Sequence, residues 1–218
     1  MEWLLLAVDV VLHLSRYLAV WVVEYGPWIY GILFVVIFAE TGLVVTPFLP
    51  GDSLLFVAGS LAALGNMNVH LLVLTMFSAA VLGNTVNYEI GRFFGKRFFV
   101  DQQSRWLNPQ HIERTHAFFA RWGGIAVVLA RFVPFLRTYV PFVAGLGAMP
   151  RMIYMAYTLI GAAAWVGSLT YLGFFFGNIP WIKENQGLMV IGIVILSLVP
   201  VIVSLIRARL SAPPPKAP

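Results

Sequence analysis

The stretch that decides the fold is ETGLVVTPFLPGDS at residues 40–53, which places two carboxylates and two prolines inside the apolar run 28–64. Ionisable side chains at that depth in a lipid-soluble segment are energetically expensive. Pro47 and Pro50 cannot donate a backbone hydrogen bond and they interrupt helices, so the run cannot be one straight span. We therefore predict a re-entrant hairpin that turns at Pro47, Pro50 and Gly51, rather than two crossings.

A second apolar segment is also interrupted by prolines, and it carries the opposite charge. It reads RFVPFLRTYVP at residues 131–141 and carries two arginines and two prolines, with Pro134 and Pro141 as the predicted turn residues of a second hairpin. The first segment thus carries two carboxylates and the second carries two guanidinium groups. The complementary charges predict that the two segments meet at the centre of the membrane.

Composition excludes most other classes of protein. Of 218 residues, 60% are hydrophobic and 11% are charged, whereas a soluble domain has roughly 25% charged residues. The chain is therefore predicted to be an integral membrane protein. The net charge is +5, and the basic residues lie between apolar runs and near the C-terminus, as the positive-inside rule requires. A nucleic-acid partner is therefore not expected. The absence of cysteine excludes disulfides and thiol catalysis.

The order of apolar and polar runs predicts one transmembrane domain over residues 1–210. Its predicted parts are a first repeat at 28–95, a cytoplasmic loop at 92–122, a second repeat at 123–177, a last span at 188–206 and a disordered cytoplasmic tail at 211–218. Residues 3–23 carry a polar stripe and are interpreted as an N-terminal amphipathic helix in the membrane interface, with a full span as the alternative.

Short motifs recur in the two halves. PFL at 47–49 and FVAG at 56–59 return as PFL at 134–136 and FVAG at 142–145, and GRFFG at 91–95 returns as GFFFG at 173–177. Each unit is a predicted hairpin followed by a span, and the count of basic residues puts the two units in opposite orientations. The predicted fold is an all-α membrane protein built from an inverted repeat, the pattern that marks a transporter's midplane site.

Glu40 and Asp52 flank the first proline turn, so a hairpin brings them together. Low dielectric disfavours a charged carboxylate, and a like-charged neighbour disfavours it further, so one of the pair can bind a proton near neutral pH. We predict that Glu40 and Asp52 form a proton-coupling site. The alternative is a purely structural role, in which the two acids form ion pairs with Arg131 and Arg137 that lock the hairpins together.

The basic segment suits an anion. Arg131 and Arg137 stay protonated, and a guanidinium group matches two oxygens of a phosphate. The neighbouring hydroxyls of Thr138 and Tyr139 are expected to add donors, with an interfacial or packing role as the alternative for Tyr139. These four residues are the predicted binding site for a phosphate or lipid headgroup.

Three further groups of residues receive ordinary structural interpretations. Asn84, Asn87 and Glu89 are assigned to a solvated helix end, with the lining of an exit path as the alternative. Trp165 is assigned to packing or interface anchoring. The glycines expected to permit close helix contacts are Gly161, Gly167, Gly173 and Gly177.

The residues 40–55, 131–138 and 141–145 together resemble the DedA family of bacterial inner-membrane proteins, which carry the VTT or SNARE-associated domain. The resemblance covers residues 1–210. It implies two facing re-entrant hairpins and a functional need for Glu40, Asp52, Arg131 and Arg137. It also implies roles in flipping undecaprenyl phosphate or phosphatidylethanolamine, in maintaining the proton-motive force and in envelope integrity.

The predicted function is therefore a proton-motive-force-dependent flippase for a phosphate-bearing lipid in the bacterial inner membrane. Its expected partners are protons and a lipid with an anionic headgroup, and a homo-oligomer is compatible with the sequence. Neither a cofactor, a metal nor enzymatic activity is expected, because no nucleophile motif or metal-ligand spacing is present. The alternatives are a proton/monovalent-cation antiporter and a non-transporting membrane scaffold.

Overall fold

The described part of the chain is helical. A computed structural model describes residues 14–43, 51–100, 124–177 and 179–180, and no strand occurs among them. The helices are α1 (Leu14–Tyr25), α2 (Ile29–Gly42), α3 (Gly51–Ala63), α4 (Val69–Val100), α5 (Ile125–Ala130), α6 (Pro134–Leu146) and α7 (Arg151–Phe176), and a 3₁₀ turn at Gly26–Trp28 joins α1 to α2. The predicted all-α class is confirmed.

Within the described residues, three stretches are long and apolar enough to cross a membrane, namely Tyr17–Gly42, Val69–Gly95 and Arg151–Phe176. At about 1.5 Å per residue, each exceeds the roughly 30 Å of a bilayer's hydrocarbon core. Helices α3 and α6 have 13 residues each, about 20 Å, which is too short to cross alone. Large apolar side chains such as Met152 and Leu74 are 84% and 61% exposed, as lipid-facing residues are. The chain is an integral membrane protein.

The prolines and glycines explain where several helices begin and end. Helix α1 ends before Gly26, which has a φ of +51° and precedes a proline. Pro134 opens α6, where its missing N–H is no loss. Pro141 was predicted to be a turn residue, but it lies inside α6, where it removes the donor that the Arg137 carbonyl would otherwise receive. Gly51 opens α3.

Each long helix supports two shorter ones. Helix α4 packs against α2 and α6, and α7 packs against α5 and α3. The short helix that follows each predicted turn, α3 or α6, thus lies on the long helix of the opposite half. The core between α2, α3, α4 and α7 contains Ile37, Leu55, Leu72, Met76 and Trp165.

Glycines allow these crossings to be close, and they do so equivalently in both halves. A Cβ atom at the glycine would strike a facing backbone carbonyl at four places: Gly59 at Thr170, Gly173 at Phe56, Gly145 at Tyr88 and Gly91 at Phe142. The repeated FVAG and G-x-F-F-G motifs therefore make matching contacts. Gly161 and Gly177 also lie in close contacts as predicted, but Gly167 has no atom within 4 Å of such a Cβ, so its prediction was wrong.

One predicted boundary differs from the structure, and several predicted segments lie outside the described residues. Residues 92–100, assigned to the cytoplasmic loop, continue α4 instead. Pro47 and Pro50, most of the loop at 92–122, the span at 188–206 and the tail at 211–218 lie outside the described residues. So does the polar part of the N-terminal helix. The described part, α1, buries Leu18 and Val22 against the bundle and exposes Val23.

Candidate functional site

Two acids and one arginine meet where α2, α3 and α6 converge. Arg137 donates from Nη1 to Asp52 Oδ1 at 2.6 Å and from Nη2 to Glu40 Oε1. The exposed fractions of the side chains are 2% for Arg137, 0% for Glu40 and 13% for Asp52. The structure thus brings together three of the four charged residues that the sequence singled out, as a buried ion-pair cluster of net charge −1 when all three are ionised.

The first residue of α3, Gly51, contacts this cluster directly. The Gly51 N–H donates to Glu40 Oε1 at 3.2 Å, and a Cβ atom at position 51 would collide with the Glu40 carboxylate. Asp52 lies in the first turn of α3, where the helix dipole favours a negative charge. A side chain at position 51 would therefore displace the Glu40 carboxylate from its present position.

Trp165 of α7 completes the cluster from the other half of the molecule. Its indole Nε1–H donates to Asp52 Oδ1 at 2.8 Å, and its ring face lies 4.6 Å from the Arg137 guanidinium carbon. The side chain is 1% exposed. The sequence interpretation as a simple packing or anchoring residue missed these polar contacts. The available signal was that a buried tryptophan N–H needs an acceptor.

Asn87 of α4 joins the two interrupted segments. Its Nδ2 donates to the carbonyl of Thr41 at 3.1 Å and to the carbonyl of Thr138 at 2.9 Å, and its Oδ1 has no hydrogen-bond partner among the described residues. Asn87 and Asn84 are 0% and 1% exposed, so their assignment to a solvated helix end was wrong. They are buried because α4 continues to Val100.

Arg131 lies apart from the two acids. It is 2% exposed, and its Nη2 donates to the Thr158 carbonyl at 3.3 Å. With the Asn84 amide turned so that its oxygen faces the guanidinium, that oxygen accepts from both Nη atoms, at 3.2 Å from Nη1. Its Nε has no partner among the described residues. Within that part of the chain, Arg131 is a buried cation held by neutral oxygens and paired with no carboxylate.

The surroundings of Arg131 include several buried polar groups. Gly161 packs against its side chain, and Thr158 is fully buried. The Tyr154 hydroxyl donates to the Asn84 carbonyl at 2.9 Å, and its ring stacks on that of Tyr88 at 4.3 Å between centroids. The sequence analysis missed Thr158 and Tyr154, because no spacing along the chain indicates which side chains of α7 face α5.

The other two predicted headgroup residues, Thr138 and Tyr139, lie in different environments. Thr138 is 0% exposed and contributes its carbonyl to Asn87. Tyr139 is 38% exposed and lies at the surface of α6. Among the described residues, no group of three His, Cys, Asp or Glu side chains could hold a metal ion.

Comparisons with known proteins identify relatives over most of the chain. The family model of the VTT domain matches residues 49–175, a range that contains Asp52, Arg131, Arg137 and Trp165. Protein DedA of Escherichia coli strain K12 is 47% identical over 214 residues, 97% of this chain and 98% of the relative. An uncharacterized membrane protein of Mycobacterium tuberculosis strain H37Rv is 40% identical over 188 residues, covering 84% and 82%. Inner membrane protein YqjA of E. coli strain K12 is 36% identical over 162 residues, 74% of each chain. No solved structure matches.

Proposed function

Because the chain belongs to the DedA family of VTT-domain membrane proteins, we propose that it is a proton-motive-force-dependent lipid transporter. It moves a phosphate-bearing lipid, such as undecaprenyl phosphate or phosphatidylethanolamine, across the bacterial inner membrane and so supports envelope integrity.

The observation that carries the proposal is the burial of Arg131 with no carboxylate partner among the described residues. A buried charge without a counter-ion is expensive, by several kcal/mol even after relaxation, so a structure that keeps one has a use for it. Arg131 offers a guanidinium fork, which suits phosphate oxygens, and the Thr158 hydroxyl beside it is a further donor. The ligand class that fits this site is therefore an anion, and its membrane-embedded position favours a lipid headgroup over a free ion.

Charge balance suggests how protons and the anion are coupled. With all four groups ionised, Glu40 and Asp52 offset Arg131 and Arg137, and the buried site is neutral. Uptake of one proton by an acid leaves one surplus positive charge, which an anionic headgroup neutralises. Proton and anion then bind favourably together and unfavourably alone. Release of the proton on the other side of the membrane expels the headgroup.

The interrupted helices supply the path for this exchange. We propose that α2–α3 and α5–α6 form two re-entrant hairpins facing each other, as halves of an inverted repeat. The matching glycine contacts of the two halves and the shortness of α3 and α6 support this arrangement. Asn87 touches the backbone of both interrupted segments, so movement of one hairpin is transmitted to the other.

The test is transport by the purified full-length protein in liposomes. Undecaprenyl phosphate, or in a second set phosphatidylethanolamine, should change leaflet faster when a pH gradient is imposed, and Arg131→Ala and Arg137→Ala should abolish that acceleration. Arg151→Ala is the matched control, because Arg151 is an exposed arginine whose ion pair in the described structure is with the exposed Glu89. Transport that survives Arg131→Ala would overturn the proposal.

A second function, proton/monovalent-cation antiport, is favoured by one separate observation. Buried oxygens without hydrogen-bond partners among the described residues occur on Glu40, Ser53 and Asn87, and oxygen atoms are the ligands that hard cations prefer. Sodium or potassium flux in vesicles without added phosphate-bearing lipid would favour this function, with the arginines then purely structural. A non-transporting scaffold would instead tolerate Glu40→Gln without loss of phenotype.

A further inference from the structure

The two acids of the buried cluster are held differently. Asp52 Oδ1 accepts from Arg137 at 2.6 Å and from the Trp165 indole at 2.8 Å. Glu40 Oε1 accepts from Arg137 and from a backbone N–H, but its Oε2 is buried with no hydrogen-bond partner among the described residues. A bare, buried carboxylate oxygen is the place where a proton relieves an unsolvated charge.

Trp165 contacts both members of the Asp52–Arg137 ion pair. Its N–H donates to Asp52, and the same ring lies under the Arg137 guanidinium at 4.6 Å. Both contacts favour the charged forms of their partners, since a donor stabilises a carboxylate and an aromatic face stabilises a cation. Glu40 receives no contact of this kind from Trp165. The indole therefore strengthens one of the two ion pairs of Arg137 selectively.

We propose that Trp165 is a positioning residue that keeps Asp52 as the permanent counter-ion of Arg137 and thereby leaves Glu40 as the acid that binds and releases the coupling proton. This inference rests on the proposed proton-coupled function and divides the labour of its two acids. In the proton step, Glu40 Oε2 gains a proton from water and becomes a neutral O–H. The Arg137–Glu40 ion pair is lost, the Arg137–Asp52 pair persists, and deprotonation reverses the change.

The neighbours of Glu40 leave few other groups to titrate. From α6 it faces Arg137 and from α3 it faces Asp52. The nearby polar side chain of α4 is the neutral amide of Asn87, which lies beside the adjacent Thr41 carbonyl. Among the described residues around the cluster, Glu40 and Asp52 are thus the two carboxyl groups whose protonation must be told apart.

Infrared spectroscopy of the full-length protein in lipid distinguishes them directly, because a protonated carboxyl has a C=O stretch that a carboxylate lacks. We expect the wild type to develop one buried carboxyl band as the pH is lowered. Glu40→Gln should remove it and Asp52→Asn should leave it. Loss of the band in Asp52→Asn with retention in Glu40→Gln would overturn the assignment.

The role of Trp165 is tested by Trp165→Phe, which keeps an aromatic face over Arg137 but removes the N–H donor. We expect a second carboxyl band in this variant, absent from Trp165→Phe/Asp52→Asn. Trp28→Phe is the matched control, since Trp28 is 79% exposed, and it should show the wild-type band alone. If Trp165→Phe folds and still shows one band, Trp165 is a packing residue only and the proposal fails.

The division of the acids stands independently of Trp165→Phe, because the Glu40→Gln and Asp52→Asn spectra require only those two variants. The proposed transport function can also fail separately. The predicted bands with no lipid movement in liposomes would refute the transport of these lipids and leave the assignment of the proton to Glu40 in place.

Discussion

The two buried arginines, Arg131 and Arg137, have the same chemistry and opposite surroundings. Each is 2% exposed, and only six positions separate them in the sequence. Arg137 contacts two carboxylates and an aromatic ring, whereas Arg131 contacts a carbonyl and an amide. The difference teaches that burial alone does not define a role: one guanidinium is an electrostatic partner of the acids, and the other has only neutral partners in the described structure.

Removing Arg137 should have the largest effect on stability. Arg137→Ala leaves Glu40 and Asp52 buried without their counter-ion, and breaking a buried pair in this way costs about 3–5 kcal/mol. The thermal unfolding temperature in detergent should fall sharply. The triple variant Arg137→Ala/Glu40→Gln/Asp52→Asn should recover part of the loss, and a decrease no larger than that of Arg151→Ala would show that the buried pairs do not stabilise the fold.

Arg131→Met should separate binding from stability. The variant removes a charge that has no carboxylate partner in the described structure, so the unfolding temperature of the ligand-free protein should stay the same or rise. An anionic lipid at 100 times its Kd should stabilise the wild type by about 2.7 kcal/mol and should not stabilise Arg131→Met. Melting curves with and without undecaprenyl phosphate provide the measurement. Equal stabilisation of both proteins would place the anion elsewhere.

The glycine crossings extend the comparison to the two halves of the chain. Gly173→Ala and Gly91→Ala each put a methyl group against a facing carbonyl, and overpacking of this kind costs about 1–3 kcal/mol. The two losses should be similar if the halves are equivalent. Gly167→Ala, on the same helix as Gly173 but with open space around it, is the control. A large asymmetry between Gly91→Ala and Gly173→Ala would argue against equivalent crossings.

The smallest effect is expected at the exposed pair of Arg151 and Glu89. Their 2.7 Å contact has the same chemistry as the Arg137 pairs, but the side chains are 62% and 42% exposed. Water and salt screen such pairs, and many contribute nothing measurable. Arg151→Ala should leave both transport and the unfolding temperature unchanged. A change comparable to that of Arg137→Ala would mean that exposure is not what separates these pairs.

The sequence located the charged residues well and their partners only in part. Acids and arginines inside apolar runs are visible without a structure, because lipid makes them costly. The proline breaks and the complementary charges predicted that the acidic and basic segments meet, but not that Arg137 rather than Arg131 pairs with Glu40 and Asp52. Trp165, Asn84 and Asn87 were misassigned, because an apolar helix surrounded by lipid and protein has no clear polar face from which its orientation can be read.

The sequence by itself determined that this chain is an all-helical membrane protein whose interrupted segments carry complementary charge. These properties follow from composition and from the local effects of proline, which act over a few residues. Only the tertiary structure decided which arginine is paired, which acid oxygen is bare and which indole touches both charges. Those contacts join residues up to 113 positions apart, as Asp52 and Trp165 show, and they depend on helix rotations that close packing, rather than local sequence, fixes.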